Sequence, residues 1–351
     1  MKLLIITQKT DLDANALSFF HVWIEEFAKQ CEKVTVICLY KGRHYLPDNV
    51  RVLSLGKEDG ESRIKYIYRF YKYIWQERKN YDCVFAHMNQ IYVIFGWAIW
   101  RCLGKKIGLW YAHGKVSRSL KFAEKLTDII FTSTKEGCRM NSKKIEIVGQ
   151  GIDTEKFKVI GDKSNNDKIK ILSVGRISPV KKIEVLIEAI EILRRDFNIS
   201  NMEINIIGGI ELEEEKKYIE SLKKMVAEKN MEDIIHFHGA ISYDKILNYF
   251  QETDIFAHTG NTGSLDKVIL EAMACECPVV SCNDAVKEVL KNYNNLIYKL
   301  NDSHGLAEKL AGIMKMSEEE RRSLGQKLRE IVVAEHGLPR LVKKILFTLS
   351  D

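Results

Sequence analysis

Short apolar runs alternate with amphipathic helical stretches along most of the chain. Runs with the length and composition of buried strands are KLLIIT, KVTVICL, RVLSL, DCVFAH, KIGLWYAH, DIIFTS, KIEIVGQ, IKILSVG, EINIIG, IIHFHG, DIFAHT and PVVSC. Helical patterns lie between them, among others over residues 14–30, 63–79, 182–196, 212–229, 243–252 and 267–275. This alternation predicts an α/β fold in which helices cover both faces of parallel sheets.

Length and a polar break predict two such domains. The 351 residues exceed the usual size of one hydrophobic core. The stretch GDKSNNDK over residues 161–168 and a change in charge balance mark the boundary. We therefore predict two Rossmann-like, doubly wound domains, residues 1–158 and 159–337, followed by a helix over 338–351. Ligands of such folds bind outside the carboxyl ends of the strands, so a central cleft between the domains is expected.

Charge is unevenly distributed between the two halves. Residues 1–158 hold 27 Lys and Arg against 17 Asp and Glu, a balance of +10, whereas the remainder holds 27 against 31, a balance of −4. The first half therefore favours an anionic partner, and the lack of a nucleic-acid motif favours an anionic membrane surface over nucleic acid. Basic and aromatic residues interleave over 63–79, which fits a helix lying on an acidic bilayer or an ordinary packed helix with snorkelling cations.

Missing motifs exclude several classes of protein. No window of about 18 residues is apolar, and the first residues do not resemble a signal peptide, so we expect a cytoplasmic protein. The eight cysteines form no CxxC pair, which disfavours a zinc site or a disulfide framework. The stretch IITQKTDLDANALSFF lacks glycine and therefore a dinucleotide-binding fingerprint. No cluster predicts a metal site, and we expect neither metal nor cofactor.

Two cations follow the first strand of the second domain. In LSVGRISPVKK, Arg176 and Lys181 lie on the loop between that strand and a helix that starts near Lys182. Such a pair suits a pyrophosphate, because both cations neutralise charge spread over its oxygens. A solvated basic loop has the same spacing, and the residues alone leave both interpretations open.

The segment GSLDKVILEAMACECPVVSC, residues 263–282, predicts a loop, a helix and a buried strand. If the helix begins at Lys267, its positive end binds phosphates through nearby amides. These are the amides of Ser264, Leu265 and Asp266. Glu271 then lies one turn inside the helix, where its carboxylate can accept hydrogen bonds from a ribose diol. The apolar neighbours of Glu271 disfavour an ordinary exposed glutamate.

A histidine ends one strand of the first domain. His113 follows the apolar run KIGLWYA and precedes Gly114. At a strand end of such a fold it would face the ligand-binding edge, and a satisfied core histidine is the alternative. His87, at the end of CVFAH, is a weaker candidate of the same kind.

Together these segments resemble the retaining glycosyltransferases of the GT-B fold, the large family that includes bacterial mannosyltransferases and sucrose synthase-like enzymes. GIDTEKF resembles the family's GVD…F link, VGRISPVKKIEVLIEA resembles VGRL…KG…LIEA, and VILEAMACECPVV resembles LVLEAMACG.PVV. IIGG and IIHFHGAIS resemble two further strand ends of the family.

The resemblance implies a role for each candidate. Arg176 and Lys181 would bind the diphosphate of a nucleotide-sugar donor, Glu271 its ribose, and His113 the sugar near the reacting carbon. Amides from Ser264 to Lys267 would touch the phosphates. Residues near the base would be Gly239, Ala240 and Ile241, and residues facing the acceptor would run from Asp11 to Asn15, including Asp13. The first domain would be the acceptor side, the second would bind the donor, and helix 338–351 would pack back on the first.

One departure from the family concerns its pair of glutamates separated by seven residues. Glu271 is the second, whereas Gly263 occupies the position of the first. Asp266 could replace the missing carboxylate from another angle, or Gly263 could donate its amide. The expected activity is sugar transfer from a nucleotide-diphosphate sugar, with retention and without metal, to a lipid-linked or surface-polysaccharide glycan. A sugar-nucleotide 2-epimerase and an inactive, nucleotide-sugar-binding partner subunit are the alternatives.

Overall fold

The computed structural model describes residues 1–12, 19–160, 168–243 and 245–351. It divides into two compact units, of which the first comprises Met1–Gly151 with Gly337–Asp351 and the second Ile152–His336. The boundary predicted from the sequence lies after residue 158. The second unit begins earlier because Ile152 and Phe157 are buried in its hydrophobic core.

Each unit contains one sheet whose strand pairs are all parallel. The strands are β1 (Lys2–Thr10), β2 (Lys33–Lys41), β3 (Val50–Ser54), β4 (Cys83–His87), β5 (Lys106–Trp110), β6 (Ile129–Thr132), β7 (Ile145–Ile147), β8 (Ile169–Val174), β9 (Met202–Ile207), β10 (Ile235–Gly239), β11 (Ile255–His258) and β12 (Val279–Ser281). Their order is β3-β2-β1-β4-β5-β6-β7 in the first unit and β10-β9-β8-β11-β12 in the second. The predicted fold class, two Rossmann-like units with parallel sheets, is confirmed.

Helices connect most of these strands. They are α1 (Phe19–Gln30), α2 (Arg63–Gln76), α3 (Gln90–Cys102), α4 (Arg118–Leu126), α5 (Ile183–Arg195), α6 (Glu213–Glu228), α7 (Ile246–Glu252), α8 (Lys267–Ala274), α9 (Ser303–Met314), α10 (Glu318–Ile331) and α11 (Leu338–Ser350). The helix predicted over 243–252 begins only at Ile246, where the N–H groups of Lys245 and Ile246 both donate to the carbonyl oxygen of Ser242. Among the described residues, no helix combines the length and the apolarity that crossing a bilayer requires.

Hydrophobic clusters cover both faces of the first sheet. On one face, Trp23 and Phe27 of α1 pack with Ile345 of α11. On the other, Phe70 of α2 and Trp100 of α3 are fully buried. The C-terminal helix is therefore part of the first unit, and the carboxyl ends of β1, β2 and β4 lie at one edge of its sheet.

Candidate functional site

Glycines line the carboxyl edge of the second sheet. Gly175 follows β8, Gly208 and Gly209 follow β9, and Gly260 comes two residues after β11. β8 lies between β9 and β11, at the point where the strand order reverses. Open α/β sheets bind their ligands at this switch point. The edge therefore presents backbone, rather than bulky side chains, where a ligand is expected.

Close packing requires two of these glycines. A Cβ on Gly208 would lie 1.8 Å from the carbonyl oxygen of Gly175, and one on Gly260 would lie 2.9 Å from Cδ of Lys181. Any larger side chain would displace the neighbouring loop or Lys181 itself. The glycine-rich strand end is thus part of what positions this lysine.

Lys181 ends a short 3-10 turn, Pro179–Lys181, in the loop after β8. The next residue, Lys182, has a φ of 52°, and this left-handed conformation turns the chain into α5. The Nζ of Lys181 lies 2.6 Å from Oδ2 of Asp266, and both side chains are largely buried. The hydroxyl of Thr259 also donates to the carbonyl oxygen of Lys181 at 2.6 Å. The ion pair therefore joins the loop after β8 to the start of α8.

Asp266 is an anion held by a network. Its Oδ2 also accepts a hydrogen bond from Nε2 of His258 at 2.8 Å. Burial raises the pKa of the carboxyl, but the hydrogen bond from His258 and the charges of His258 and Lys181 outweigh it and hold the pKa well below its usual range. His258 was not among the predicted site residues, although its position at the end of β11 is the same signal that singled out His113.

Arg176 lies on the same loop as Lys181 but has different partners. Its Nη1 is 3.1 Å from Oε2 of Glu211, and its Nε is 3.2 Å from Oε1 of Glu215. Glu215 is anchored in turn by the backbone N–H groups of Glu211 and Leu212. Arg176 is 45% exposed. Both predicted cations are therefore paired with carboxylates of this chain, which the sequence did not indicate.

The helix after the β11 loop begins at Lys267, as predicted, with Asp266 as its cap residue. Gly263 has a φ of 76°, a left-handed conformation that favours glycine. The carbonyl oxygen of Ser264 accepts a hydrogen bond from Nδ2 of Asn283 at 3.0 Å. Leu265 is 3% exposed and belongs to the hydrophobic core, so its side chain serves packing.

Glu271 is buried, with only 4% of its surface exposed. Its Oε1 accepts a hydrogen bond from the hydroxyl of Tyr243 at 3.0 Å, and Nζ of Lys156 lies 4.6 Å from the centre of the Tyr243 ring. Burial raises the pKa of Glu271, and the charges of Lys267 and Lys156 and the Tyr243 hydrogen bond offset only part of that effect. Burial likewise lowers the pKa of Lys267, one turn away on α8. Tyr243 and Lys156 were not among the site residues predicted from the sequence.

The segment predicted to lie near a base follows β10. Gly239 has a φ of 70°, and its carbonyl oxygen accepts a hydrogen bond from the N–H of Gly208 at 2.9 Å. Ala240 is exposed, and Ile241 is half-buried. A Cβ on Gly209 would lie 3.1 Å from Cβ of Ala240, so the ends of β9 and β10 are in contact.

In the first unit, His113 is exposed in the loop after β5. Its Nδ1 accepts a hydrogen bond from the N–H of Lys115 at 3.0 Å, which leaves the proton on Nε2 in the neutral ring. His87 is buried and stacks on Phe20 with ring centres 3.9 Å apart, which is a core role. Two predicted acceptor-side residues, Asp13 and Asn15, lie outside the described residues.

Two parallel-sheet units with glycine-lined strand ends form the architecture of the GT-B glycosyltransferases. The model of the family "Glycosyl transferases group 1" matches residues 154–331, about half of the chain, and the chain belongs to this family. The match contains β8, α8 and the loops that carry Arg176, Lys181 and Asp266.

Two curated relatives and one solved structure illustrate these similarities. The chain is 26% identical over 58% of its length to an uncharacterized glycosyltransferase of Methanocaldococcus jannaschii, and 30% identical over 47% to the amylovoran biosynthesis glycosyltransferase AmsK of Erwinia amylovora. These matches span 52% and 41% of the relatives' own lengths. The structure of Anabaena HepE in complex with UDP has a TM-score of 0.79 at 16% identity over 100% of both chains, which shows the fold alone.

Proposed function

We propose that the chain transfers a sugar from a nucleotide-diphosphate sugar to an acceptor, with retention at the anomeric carbon. The observation that carries this proposal is the convergence of Lys181, His258 and Asp266 at the switch point of the second sheet, directly before α8. The proposed acceptor is a lipid-linked or surface-polysaccharide glycan, and the enzyme would work in the cytoplasm or at the inner face of the membrane.

The diphosphate would bind to Lys181 and Arg176. An ammonium group has three N–H donors, and one of those on Lys181 is used by Asp266. Because Arg176 and Glu211 are both substantially exposed, their ion pair contributes little stability and could be exchanged for a phosphate at small cost. The N-terminus of α8 would add backbone amides and the positive end of a helix dipole.

The ribose would bind to Glu271. The hydroxyl of Tyr243 donates to Oε1 of this carboxylate, and a carboxylate can accept further hydrogen bonds. The sugar would then lie toward Asp266, whose side chain replaces the carboxylate that the family places at position 263. The role of His113 at the sugar, which the family resemblance implies, stays a prediction.

The proposed reaction needs no protein nucleophile. The acceptor hydroxyl oxygen would bond to the anomeric carbon on the face from which the diphosphate leaves, through an oxocarbenium-like transition state. The bond between the carbon and the phosphate oxygen would break, and that oxygen would take the hydroxyl proton. Lys181, Arg176 and the α8 dipole would stabilise the charge that builds on the diphosphate. No metal or other cofactor takes part in this scheme.

Two kinds of relative support this proposal. AmsK is named for amylovoran biosynthesis, and the solved HepE structure contains UDP. Neither name defines the sugar or the acceptor of this chain.

A second candidate function rests on Gly263. With a glycine in left-handed conformation where the family has a glutamate, and with both predicted cations paired, the chain could bind a nucleotide sugar as an inactive partner subunit. A sugar-nucleotide 2-epimerase of the same fold remains the enzymatic alternative.

One experiment separates these functions. Thermal stabilisation of the purified protein by UDP, GDP and ADP identifies the nucleotide, because a ligand that binds the folded state raises its stability. The matching nucleotide sugars are then incubated with and without a membrane extract as the acceptor source. Transfer only with the extract supports the proposal, altered sugar without it supports an epimerase, and binding without turnover supports a partner subunit.

A further inference from the structure

The first unit contains an apolar groove that the proposed donor chemistry does not use. Its volume is about 860 Å³, within the range of ligand pockets. It lies at the carboxyl edge of the sheet, where Gln8 of β1, Leu39 of β2 and Asn89 after β4 all line it. β1 and β4 are adjacent at the switch point of this sheet, which is its expected ligand-binding position.

Two helices form the walls of this groove. Tyr66 and Ile67 of α2 and Tyr92 and Phe95 of α3 line it. The hydroxyl of Tyr71 on α2 donates a hydrogen bond to the carbonyl oxygen of Phe95 on α3 at 3.1 Å, which links the two helices. Apolar residues continue from the groove onto the exposed surface of α2. Their exposed fractions are 81% for Ile64, 66% for Tyr68 and 54% for Trp75. Several exposed apolar side chains on one helix favour a surface that binds a partner.

The lining of the groove also includes two basic residues. Lys57 and Arg63 line it, and neither has an acidic partner among the described residues. Glu61 also lines it, but Lys65 at 2.5 Å and Arg69 at 3.0 Å compensate its charge. The N-terminus of α2, capped by Ser62, adds the positive end of a helix that contains four basic and no acidic residues.

A buried donor in the same groove lacks a hydrogen-bond partner within the described part of the chain. Asn89 is 9% exposed, and its Nδ2 finds no hydrogen-bond acceptor among the residues that the structure describes. Buried amides are nearly always satisfied, so a ligand that brings an oxygen here would supply the missing acceptor.

We infer that this groove binds the hydrocarbon chain of a lipid-linked acceptor, with the lipid phosphate at Lys57 and Arg63. The inference rests on the proposed function for the existence of a lipid-linked acceptor. A mostly apolar groove whose lining also carries Lys57 and Arg63 matches an amphiphile that has a single anionic headgroup. A free sugar or an unattached glycan would leave the apolar walls without a partner.

Calorimetric titration with dodecyl phosphate, below its micelle concentration and without nucleotide, tests the inference. The wild type should bind dodecyl phosphate at least about tenfold more tightly than neutral dodecyl maltoside, and an equal concentration of inorganic phosphate should not displace it. Ile67→Asp and Ile91→Asp place a charge on opposite walls and should each weaken dodecyl phosphate binding by about tenfold or more, because a carboxylate would be desolvated there. Arg63→Gln should reduce the preference for the phosphate headgroup.

The matched control is Phe122→Asp on α4, which changes an exposed apolar residue outside the groove, 52% exposed against 36% for Ile67 and 43% for Ile91, and should bind like the wild type. Equal dodecyl phosphate affinity in Ile67→Asp and wild type would overturn the inference. So would adsorption to vesicles of phosphatidylcholine with one-fifth phosphatidylglycerol without any dodecyl phosphate binding, since that indicates a surface contact of α2. Stabilisation by nucleotide is measured separately on each variant, so failure of the groove and failure of the proposed donor chemistry are distinguishable.

Discussion

Lys181 and Asp266 are 85 residues apart in the sequence, yet Nζ of the lysine and Oδ2 of the aspartate lie 2.6 Å apart. The pair connects the loop after β8 to the cap of α8, and His258 at the end of β11 binds the same carboxylate oxygen. The cation proposed to stabilise the leaving group is thus held in place before a donor binds. Preorganised charge of this kind is more effective in a transition state than charge on a mobile side chain.

Removal of the Lys181 ammonium should reduce sugar transfer strongly. In Lys181→Met we expect a loss of about 100-fold or more in kcat, the range measured when one charge-stabilising donor is deleted from an active site. Arg176→Ala should also reduce transfer, though by less, since Arg176 is more exposed than Lys181. Initial rates with a saturating nucleotide sugar measure both effects.

The control for this pair is Lys182→Met, which removes a neighbouring lysine whose partner is Glu184. This variant should keep the wild-type rate. Normal turnover in either Lys181→Met or Arg176→Ala would contradict the role proposed for that residue.

Asp266 should make stability depend on pH on the acid side. Because its pKa is lowered in the folded protein, its ionised form stabilises the fold above the unfolded pKa of about 4, and this contribution is lost as the pH falls through the folded value. Asp266→Asn should therefore lower the free energy of unfolding by about 1–3 kcal/mol at pH 7 and by progressively less below pH 4. Urea unfolding between pH 3 and 7 measures the difference.

A surface pair provides the comparison for Asp266. Asp284 and Lys287 lie 2.7 Å apart, but both side chains are at least half exposed. Asp284→Asn should therefore change the free energy of unfolding by less than about 1 kcal/mol. If the two substitutions change the free energy of unfolding equally, burial of the Lys181–Asp266 pair adds nothing to its stabilising effect.

The hydroxyl of Tyr243 should matter because it binds a buried carboxylate. Tyr243→Phe leaves Oε1 of Glu271 without this donor, so we expect a loss of about 1–3 kcal/mol in the free energy of unfolding and weaker nucleotide binding. Urea unfolding and titration with the stabilising nucleotide measure these changes.

Tyr249→Phe, on α7, is the matched control, since its hydroxyl makes no hydrogen bond within the described part of the chain. This substitution should change neither the free energy of unfolding nor the affinity for the nucleotide by a measurable amount. If Tyr243→Phe behaves in the same way, Glu271 does not depend on this hydrogen bond.

Introducing at position 263 the glutamate that the family resemblance implies should be unfavourable. Gly263 has a φ of 76°, and a residue with a side chain in this conformation costs about 1–2 kcal/mol. Gly263→Glu should therefore be less stable than the wild type by about that amount, and it should not raise the transfer rate. Thermal or urea unfolding gives the stability difference.

Gly263→Ala and Gly263→Asn separate backbone strain from the effect of the carboxylate. Alanine should lower the free energy of unfolding about as much as glutamate does. Asparagine tolerates this conformation better and should lower it less. Three substitutions with equal stability to the wild type would show that the loop relaxes. A faster Gly263→Glu enzyme would show that Asp266 does not replace the missing carboxylate.

The local sequence pattern was sufficient to predict much of the fold. The apolar runs predicted β8 and β11, and the segment VILEAMA predicted a helix that begins at Lys267, because strand and helix periods are encoded in neighbouring residues. Ser317 and Glu320 form a capping box at the start of α10, another signal carried by neighbouring residues. Arg176 and Lys181 were placed on the correct loop by the same reasoning.

The partners of these residues could be identified only from the tertiary structure. His258 and Tyr243 were missed, and the pairing of Arg176 with Glu211 was not foreseen, because each contact depends on which strands are neighbours and on how the loops turn at their ends. The sequence by itself determined where strands and helices begin and which of them carry charge, since those signals are local. Only the tertiary structure decided that Lys181 meets Asp266 and His258, because bringing together residues 85 positions apart requires β8 and β11 to be adjacent in one sheet.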